Sequence, residues 1–281
     1  MRPLLLAGLA ACAPGPNEET LVAELRVMLI VPDAAEYAPG DVYVTNTIVF
    51  DPSGEGADLL VWSCTPTGEA TCLEDEVSVA DRARVVRGVD TETATDGQLS
   101  AALAALLPAG VAVPTTSVWA LACAPGLCPI IDDADAGAVD TADLADPTRF
   151  MGTLPMVGVS LGRTSVWVSD RPAEERHQHP VVTRVDDGPL LGTDQEPLAL
   201  TFAVTEDGQA DAPTAYGYAT GGGFGSVSED VIDGAVSLDW YAPAEVGKQA
   251  LLVVVRDALG GVAYWRDAAT SQPSPTAART R

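Results

Sequence analysis

The sequence predicts a mainly β protein: two antiparallel β-sandwiches in tandem, with one short helix in the first. Three observations carry that expectation. Short runs rich in Val, Ile, Thr and aromatic residues recur along the chain, several with the period-two alternation of a half-buried strand. Clusters of Pro, Gly, Asp and Ser separate them at close intervals, which suits hairpins rather than parallel crossovers. Helical character is confined to one leucine-bearing stretch.

The first unit, over 24–170, opens with the β-rich run Leu25 to Val31, stopped by Pro32. A Pro39-Gly40 turn leads into Val42–Phe50, which alternates well enough for a half-buried strand. The cluster Asp51-Pro52-Ser53-Gly54 then leads into a third strand, Leu59 to Cys64. Gly97 to Leu107 carries leucines at 99, 103 and 106 among strong helix formers and is stopped by Pro108. A short helix with its leucine face on the sandwich is expected there. Strand character returns at Val111–Val113, Thr116–Leu121 and Thr164–Ser169, while Ile130 to Asp146 reads as a solvated acidic loop.

Residues 171–180 read as a hydrophilic hinge with exposed histidines. The second unit, over 181–267, has strands at Val181–Val185, Leu198–Val204 and Tyr216–Ala219, then in the closing run "SLDWYAPAEVGKQALLVVVRDALGGVAYW". Residues 268–281 show no pattern and are expected to form a disordered tail.

The stretch "LRVMLIVPDAAEYAPGDVYVTNTIVFDPSGEGADLLVWSC" resembles the opening of immunoglobulin-like modules in bacterial envelope lipoproteins. The resemblance rests on Pro32, Pro39-Gly40-Asp41, Asp51-Pro52-Ser53-Gly54 and Trp62. The closing Trp240-Tyr241-Ala242-Pro243, Gly247 and Arg256-Asp257 with Gly260-Gly261 are similar to the last two strands of an immunoglobulin-like or cadherin-like module. The resemblance implies two immunoglobulin-like sandwiches and no particular function.

The N-terminus carries a second resemblance. One positive charge, a short apolar run and Leu9-Ala10-Ala11-Cys12 resemble a bacterial lipoprotein signal peptide with its lipobox. The run is shorter than the roughly 20 apolar residues a membrane span needs. The resemblance implies that residues 1–11 are removed and that Cys12 becomes a lipidated (palmitate-bearing) first residue. Residues 12–23 would then form a flexible tether. Ala13, where a sorting rule for such proteins reads Asp as inner-membrane retention, implies the outer membrane.

Charge narrows the partners. The chain has 40 acidic against 15 basic side chains, and Lys248 is its one lysine, for a formal charge of −25. So acidic a surface repels phosphate backbones, which argues against nucleic acid, and it disfavours adsorption to anionic lipid. The membrane contact expected is the anchor at Cys12, beside an unidentified protein or glycan partner.

Cys12 aside, Cys64, Cys72, Cys123 and Cys128 form an even set, which in an exported chain suggests two disulfides. Close spacing favours Cys64–Cys72 and Cys123–Cys128, although four cysteines allow three pairings and the sequence does not choose.

Several constellations invite chemistry. Gly158-Val159-Ser160-Leu161-Gly162 matches a nucleophile elbow, which needs a helix after the serine, yet Arg163 to Ser169 alternates like a strand. His177-x-His179 has the spacing of two metal ligands on a strand edge, without a clear third. The acidic loop offers Asp132, Asp133, Asp135 and Asp140 to calcium, the one cofactor with any claim here. Its glycine falls one position short of an EF-hand, however. Asp51, Asp186, Asp187 and Asp257 are alternative ligands that also serve as ordinary turn formers.

The glycine-rich stretch Thr220 to Ser226 lacks the lysine of a phosphate-binding loop and reads as a flexible hairpin. Five tryptophans could build a sugar-stacking platform, though core placement is their default. The function expected is therefore non-enzymatic, a structural or adhesion-type interaction module. A carbohydrate or cell-wall binding module is the alternative, and a Ser160 esterase is a distant third.

Overall fold

The computed structural model describes residues 18–64, 83–140, 143–144, 152–155, 157–194, 196–208 and 212–272. Cys12 and Cys72 lie outside them. The first unit contains β1 (Arg26–Pro32), β2 (Val42–Phe50), β3 (Ala57–Cys64), β4 (Ala83–Val89), β5 (Glu92–Gln98), β6 (Val113–Cys123), helix α1 (Pro129–Asp135) and β7 (Val159–Val168). They form two antiparallel sheets, β1-β2-β5 and β4-β3-β6-β7. In the constant-type immunoglobulin order the fourth strand lies beside the fifth. Here β4 pairs with β3 instead, Leu60 opposite Val85, and the chain crosses to the other sheet before β5.

Alternation sets the core. From β2, Tyr43 and Val49 point inward with Val27 and Ile30 of β1, against Leu59, Val61, Val118, Ala120 and Val166 of the opposite sheet. Gly162 in β7 admits this packing because a Cβ there would lie 2.5 Å from Val27 Cγ1.

The second unit contains β8 (Val181–Arg184), β9 (Leu191–Gly192), β10 (Leu198–Thr205), β11 (Thr214–Ala219), β12 (Gly223–Phe224), β13 (Ser228–Asp230), β14 (Ala235–Tyr241), β15 (Gly247–Arg256) and β16 (Val262–Ser271). Its sheets run β12-β14-β10-β8 and β13-β11-β15-β16-β9, with β9 joining β16 in parallel. Leu200, Phe202, Phe224, Leu238 and Trp240 from one sheet meet Leu251, Val253 and Val255 from the other.

A further core lies between the sandwiches. The residues of β1 and β2 that alternate outward, Leu29, Val31, Ile48 and Phe50, pack on Leu252, Val254 and Val262 of β15 and β16. The two sandwiches thus stack face to face, four sheets deep. This explains why "LRVMLIV" and "ALLVVV" are apolar throughout: both faces of each strand are covered.

The N-terminal stretch closes the stack. It makes a 3-10 turn, Glu18–Thr20, after which Leu21 bridges Ala219 of β11 in parallel. The Val22 amide donates to the Ala219 carbonyl at 2.8 Å, and Thr20 Oγ1 accepts from the Phe224 amide at 2.7 Å. The described chain therefore meets the second sandwich before it builds the first.

Local expectations are corrected at five places. The tether expected over 12–23 is packed from Glu18 on, with Thr20 and Val22 buried, because its backbone pairs with the second sandwich. The tail expected over 268–281 begins as part of β16, which runs to Ser271 because it pairs with β15 to its end. The helix over 97–107 shrinks to a 3-10 turn, Ala101–Ala105, capped by Ser100. Gly97 and Gln98 belong to β5, where a Cβ on Gly97 would sit 2.3 Å from the Tyr43 ring. Leu99 and Leu103 are buried, but Leu106 is exposed.

The supposed acidic loop contains α1. Pro129 starts it, the Cys123–Cys128 disulfide holds its entrance, and Ile131 and Ala134 bury against Leu60, Trp62 and Leu121 on the outer face of the four-stranded sheet. The glycine-rich stretch is a packed bend: Phe224 is fully buried, and a Cβ on Gly222 (φ +72°) would lie 1.9 Å from the Tyr241 carbonyl oxygen.

Leu252, at the centre of the face between the sandwiches, is fully buried. Leu252→Ala should cost about 2–5 kcal/mol of stability in urea unfolding. An unchanged midpoint would mean that the face is open to solvent.

Candidate functional site at the junction of the two sandwiches

The most concentrated polar architecture lies where residues 171–180 join the sandwiches. His177 is buried, 3% exposed, with both ring nitrogens on carboxylates: Nδ1 to Asp207 Oδ2 and Nε2 to Asp257 Oδ2, each 2.8 Å. The ring thus bridges the two carboxylates, one on each nitrogen.

The His177 amide donates to Glu36 Oε2 at 2.9 Å. Glu36, itself buried, also accepts from the Ser169 hydroxyl, and Arg171 lies 3.6 Å away. The second oxygen of Asp257 accepts from the amides of Leu259 and Gly261, which fastens the β15–β16 hairpin to the same cluster.

Two glycines make the approach. A Cβ on Gly261 would fall 2.1 Å from Asp257 Oδ2 and 2.8 Å from His177 Nε2. Gly260 (φ +89°) would put one 2.4 Å from Trp167 Nε1. The pair lets the hairpin of the second sandwich lie against β7 of the first.

His179 works differently. Its Nε2 donates to the Pro32 carbonyl at 2.8 Å, and its Nδ1 accepts from the Val262 amide at 2.9 Å, so one neutral ring bridges β1 and β16. Burial lowers its pKa below the ordinary 6.5. Elsewhere on the interface Glu92 of β5 accepts from the Tyr264 hydroxyl at 2.7 Å and pairs with Arg266 at 2.9 Å. Burial first, then this bond, pushes the Tyr264 pKa up to about 12.

Residues 171–180 are thus a clasp rather than a hinge with exposed histidines. The expectation failed because the partners Glu36, Asp207 and Asp257 are remote in sequence. The signal that could have exposed it is the pair of unalternating apolar runs, which require two covered faces. The side chains of His177, Glu36 and Asp257 are buried and that of Asp207 is partly exposed, and their mutual contacts hold the two units together.

The other candidate residues disperse. Asp132 pairs with Arg87 at 2.6 Å and Asp135 lies 4.0 Å from it, while Asp58 takes the other arm of the guanidinium at 2.9 Å. Asp132 and Asp135, three apart on α1, share the face that Arg87 occupies, whereas Asp133 turns to another face and Asp140 lies beyond the helix. Among the described residues no group of three or more His, Cys, Asp or Glu side chains is placed to hold a metal ion.

Asp51 closes its own turn by accepting from the Ser53 and Gly56 amides, and Asp186 pairs with Arg184. The Cys123–Cys128 disulfide is formed, and Cys64 is also disulfide-bonded. Its expected partner, Cys72, is outside the described residues, as is the lipidation candidate Cys12.

Ser160 lies in the unbroken strand β7, and its Oγ accepts from the Val27 amide at 2.9 Å. No strand-to-helix turn surrounds it, so the elbow is not formed. The tryptophan platform is not formed either. Trp62 and Trp240 are buried, and Trp119, Trp167 and Trp265 are half-buried. Trp62 stacks on Trp119, over which the Arg163 guanidinium sits at 5.0 Å.

No family model matches the chain, and no curated protein matches it. Among solved structures, the chain is similar to red sea bream transglutaminase at 13% identity over 89% of this chain and 32% of that one, with a TM-score of 0.27. It is also similar to the D0-D1 domain of intimin, at 10% identity over 86% and 98% of the two chains and a TM-score of 0.26. A lipoprotein from Bacteroides thetaiotaomicron matches at 10% identity over 38% and 90%, with a TM-score of 0.27. The chain spans about a third of the length of the transglutaminase.

Two expected outcomes test the clasp. His177→Ala leaves Asp207 and Asp257 facing a void and should cost about 3–5 kcal/mol in chemical denaturation. A loss below about 1 kcal/mol would mean the contacts are not made. For His179 the folded pKa is depressed, so as pH falls through 6.5 the unfolded chain takes up a proton that the folded chain refuses. The stability contributed at this ring is present above that pH and is lost below it. His179→Gln should flatten the decline between pH about 7 and about 5, whereas an identical pH profile in both proteins would contradict it.

Proposed function

We propose that this chain is a non-enzymatic, lipid-anchored protein of the bacterial cell envelope, and that its two sandwiches act as one rigid adhesion-type module. The observation that carries the reading is the face-to-face stacking of the sandwiches. Leu29, Val31, Ile48 and Phe50 are buried against Leu252, Val254 and Val262, and the clasp closes the edge of that contact. Interfaces between domains of one chain ordinarily leave relative motion free unless they are large and apolar. An apolar face closed by the His177–carboxylate contacts suits a body that presents a surface at fixed orientation rather than one that opens and shuts on a substrate.

The attachment rests on Leu9-Ala10-Ala11-Cys12, with Ala13 favouring the outer membrane. Among the described residues no helix is long and apolar enough to cross a membrane. A charge of −25 also keeps the body off anionic lipid, so the acyl chains at Cys12 would be its hold on the bilayer. The partner expected is a protein or glycan outside the cytoplasm.

Cys12→Ser tests the anchor. The variant should move from the membrane pellet to the soluble fraction and lose the mass of its acyl chains. Unaltered sedimentation with outer membranes would defeat the lipoprotein reading.

A further inference from the structure

A groove of about 470 Å³ runs between β7 of the first sandwich and the β15–β16 hairpin of the second, lined by Arg163, Thr164, Ser165, Trp167, Arg256 and the Gly260-Gly261 backbone among others. A smaller recess of about 130 Å³ lies beneath β1, and Arg163, Thr164, Arg256 and Val262 line both spaces. The two arginines therefore stand where the spaces meet.

Charge makes this place unusual. In a chain with 40 acidic and 15 basic side chains, Arg87, Arg171, Arg176, Arg184 and Arg266 each have a carboxylate within 4.0 Å. Among the described residues Arg163 and Arg256 have none; Arg26 and Lys248 also lack one, but of these four only Arg163 and Arg256 line the groove. Arg163 donates to Ser117 Oγ at 2.8 Å and rests on the Trp119 ring, which leaves other guanidinium protons unspent. The one acid in the groove wall, Asp257, has a fully buried side chain committed to His177 and to the Leu259 and Gly261 amides.

The remaining lining is donor-rich too. Among the described residues, the hydroxyls of Thr164 and Ser165 and the indole N–H of Trp167 have no hydrogen-bond partner within the protein. The walls are also fixed, because the clasp and the close Gly260–Trp167 approach set the distance between the two sandwiches.

We infer that this groove binds a small organic carboxylate. A guanidinium presents paired donors that match the two oxygens of a carboxylate. Hydroxyl and indole donors beside it suit further oxygens on the same molecule, and the half-buried Trp167 ring offers its apolar body a surface. The inference does not depend on the anchor or on an adhesive role. A sugar acid and the carboxylate of a short peptide share this chemistry.

Titration calorimetry on the intact protein tests it with digalacturonate, acetyl-aspartyl-glutamate, neutral cellobiose and inorganic phosphate as probes. Saturable binding of digalacturonate is expected for a sugar-acid ligand, or of the dipeptide for a peptide carboxylate. In either case affinity should fall with salt and by about tenfold or more in Arg256→Gln. Arg256 is exposed and its guanidinium forms no hydrogen bond or ion pair among the described residues, and an unaltered melting profile confirms that the variant is folded. Arg256→Lys keeps the charge but not the fork and should fall between. Binding of phosphate alone, binding of cellobiose as tightly as the acid, equal affinity in Arg256→Gln, or no heat with either carboxylate would each overturn the inference.

Discussion

The outward faces of β1 and β2 cannot stand in water, and most of the architecture follows from covering them. Leu29, Val31, Ile48 and Phe50 would form a contiguous apolar patch on a free first sandwich. The second sandwich has the matching need along Leu252, Val254 and Val262. Burying each large side chain is worth roughly 1.5–3 kcal/mol, so mutual coverage is strongly favoured over two separate bodies. Once the faces meet, the linker is confined to the edge of the contact, and its side chains must find partners there.

Two of those partners, Glu36 and Asp257, are buried carboxylates, which are costly unless each is matched. Glu36, Asp207 and Asp257 are matched by His177, Arg171, Ser169 and backbone amides, so the junction is polar yet paired. Apolar faces give affinity without direction. The His177 and His179 contacts supply direction, since they form only when β1, the linker and the β15–β16 hairpin are aligned. The Gly260-Gly261 pair is the steric condition for that alignment.

Much of the fold was legible where one principle acted alone. The alternation of Val42–Phe50, the turn at Asp51–Gly54 and the close spacing of Cys123 and Cys128 each led to what the structure contains. The failures came where a remote partner decided. Strands β4 and β5 are partly exposed edge strands: the valines of β4 do not alternate with period two, and β5 is polar, so neither carries a strand signal. The stretch after Cys128 is acidic enough to read as a loop, yet a disulfide and Ile131 hold it as α1. His177 looked solvent-facing because its neighbours are hydrophilic, while its partners lie 30 and 80 residues away.

The order in which the chain visits the two bodies has a topological consequence. At Thr20–Val22 it lies on the second sandwich, then leaves to build the first, and returns through the clasp to complete the second through β16. The first sandwich is in effect an insertion whose entrance and exit are both pinned to the body it interrupts. Fraying ordinarily starts at loose ends, and this unit has none of its own. Tying both ends also shrinks the volume its opened state can explore, which disfavours separation of the sandwiches even before any contact between them is counted.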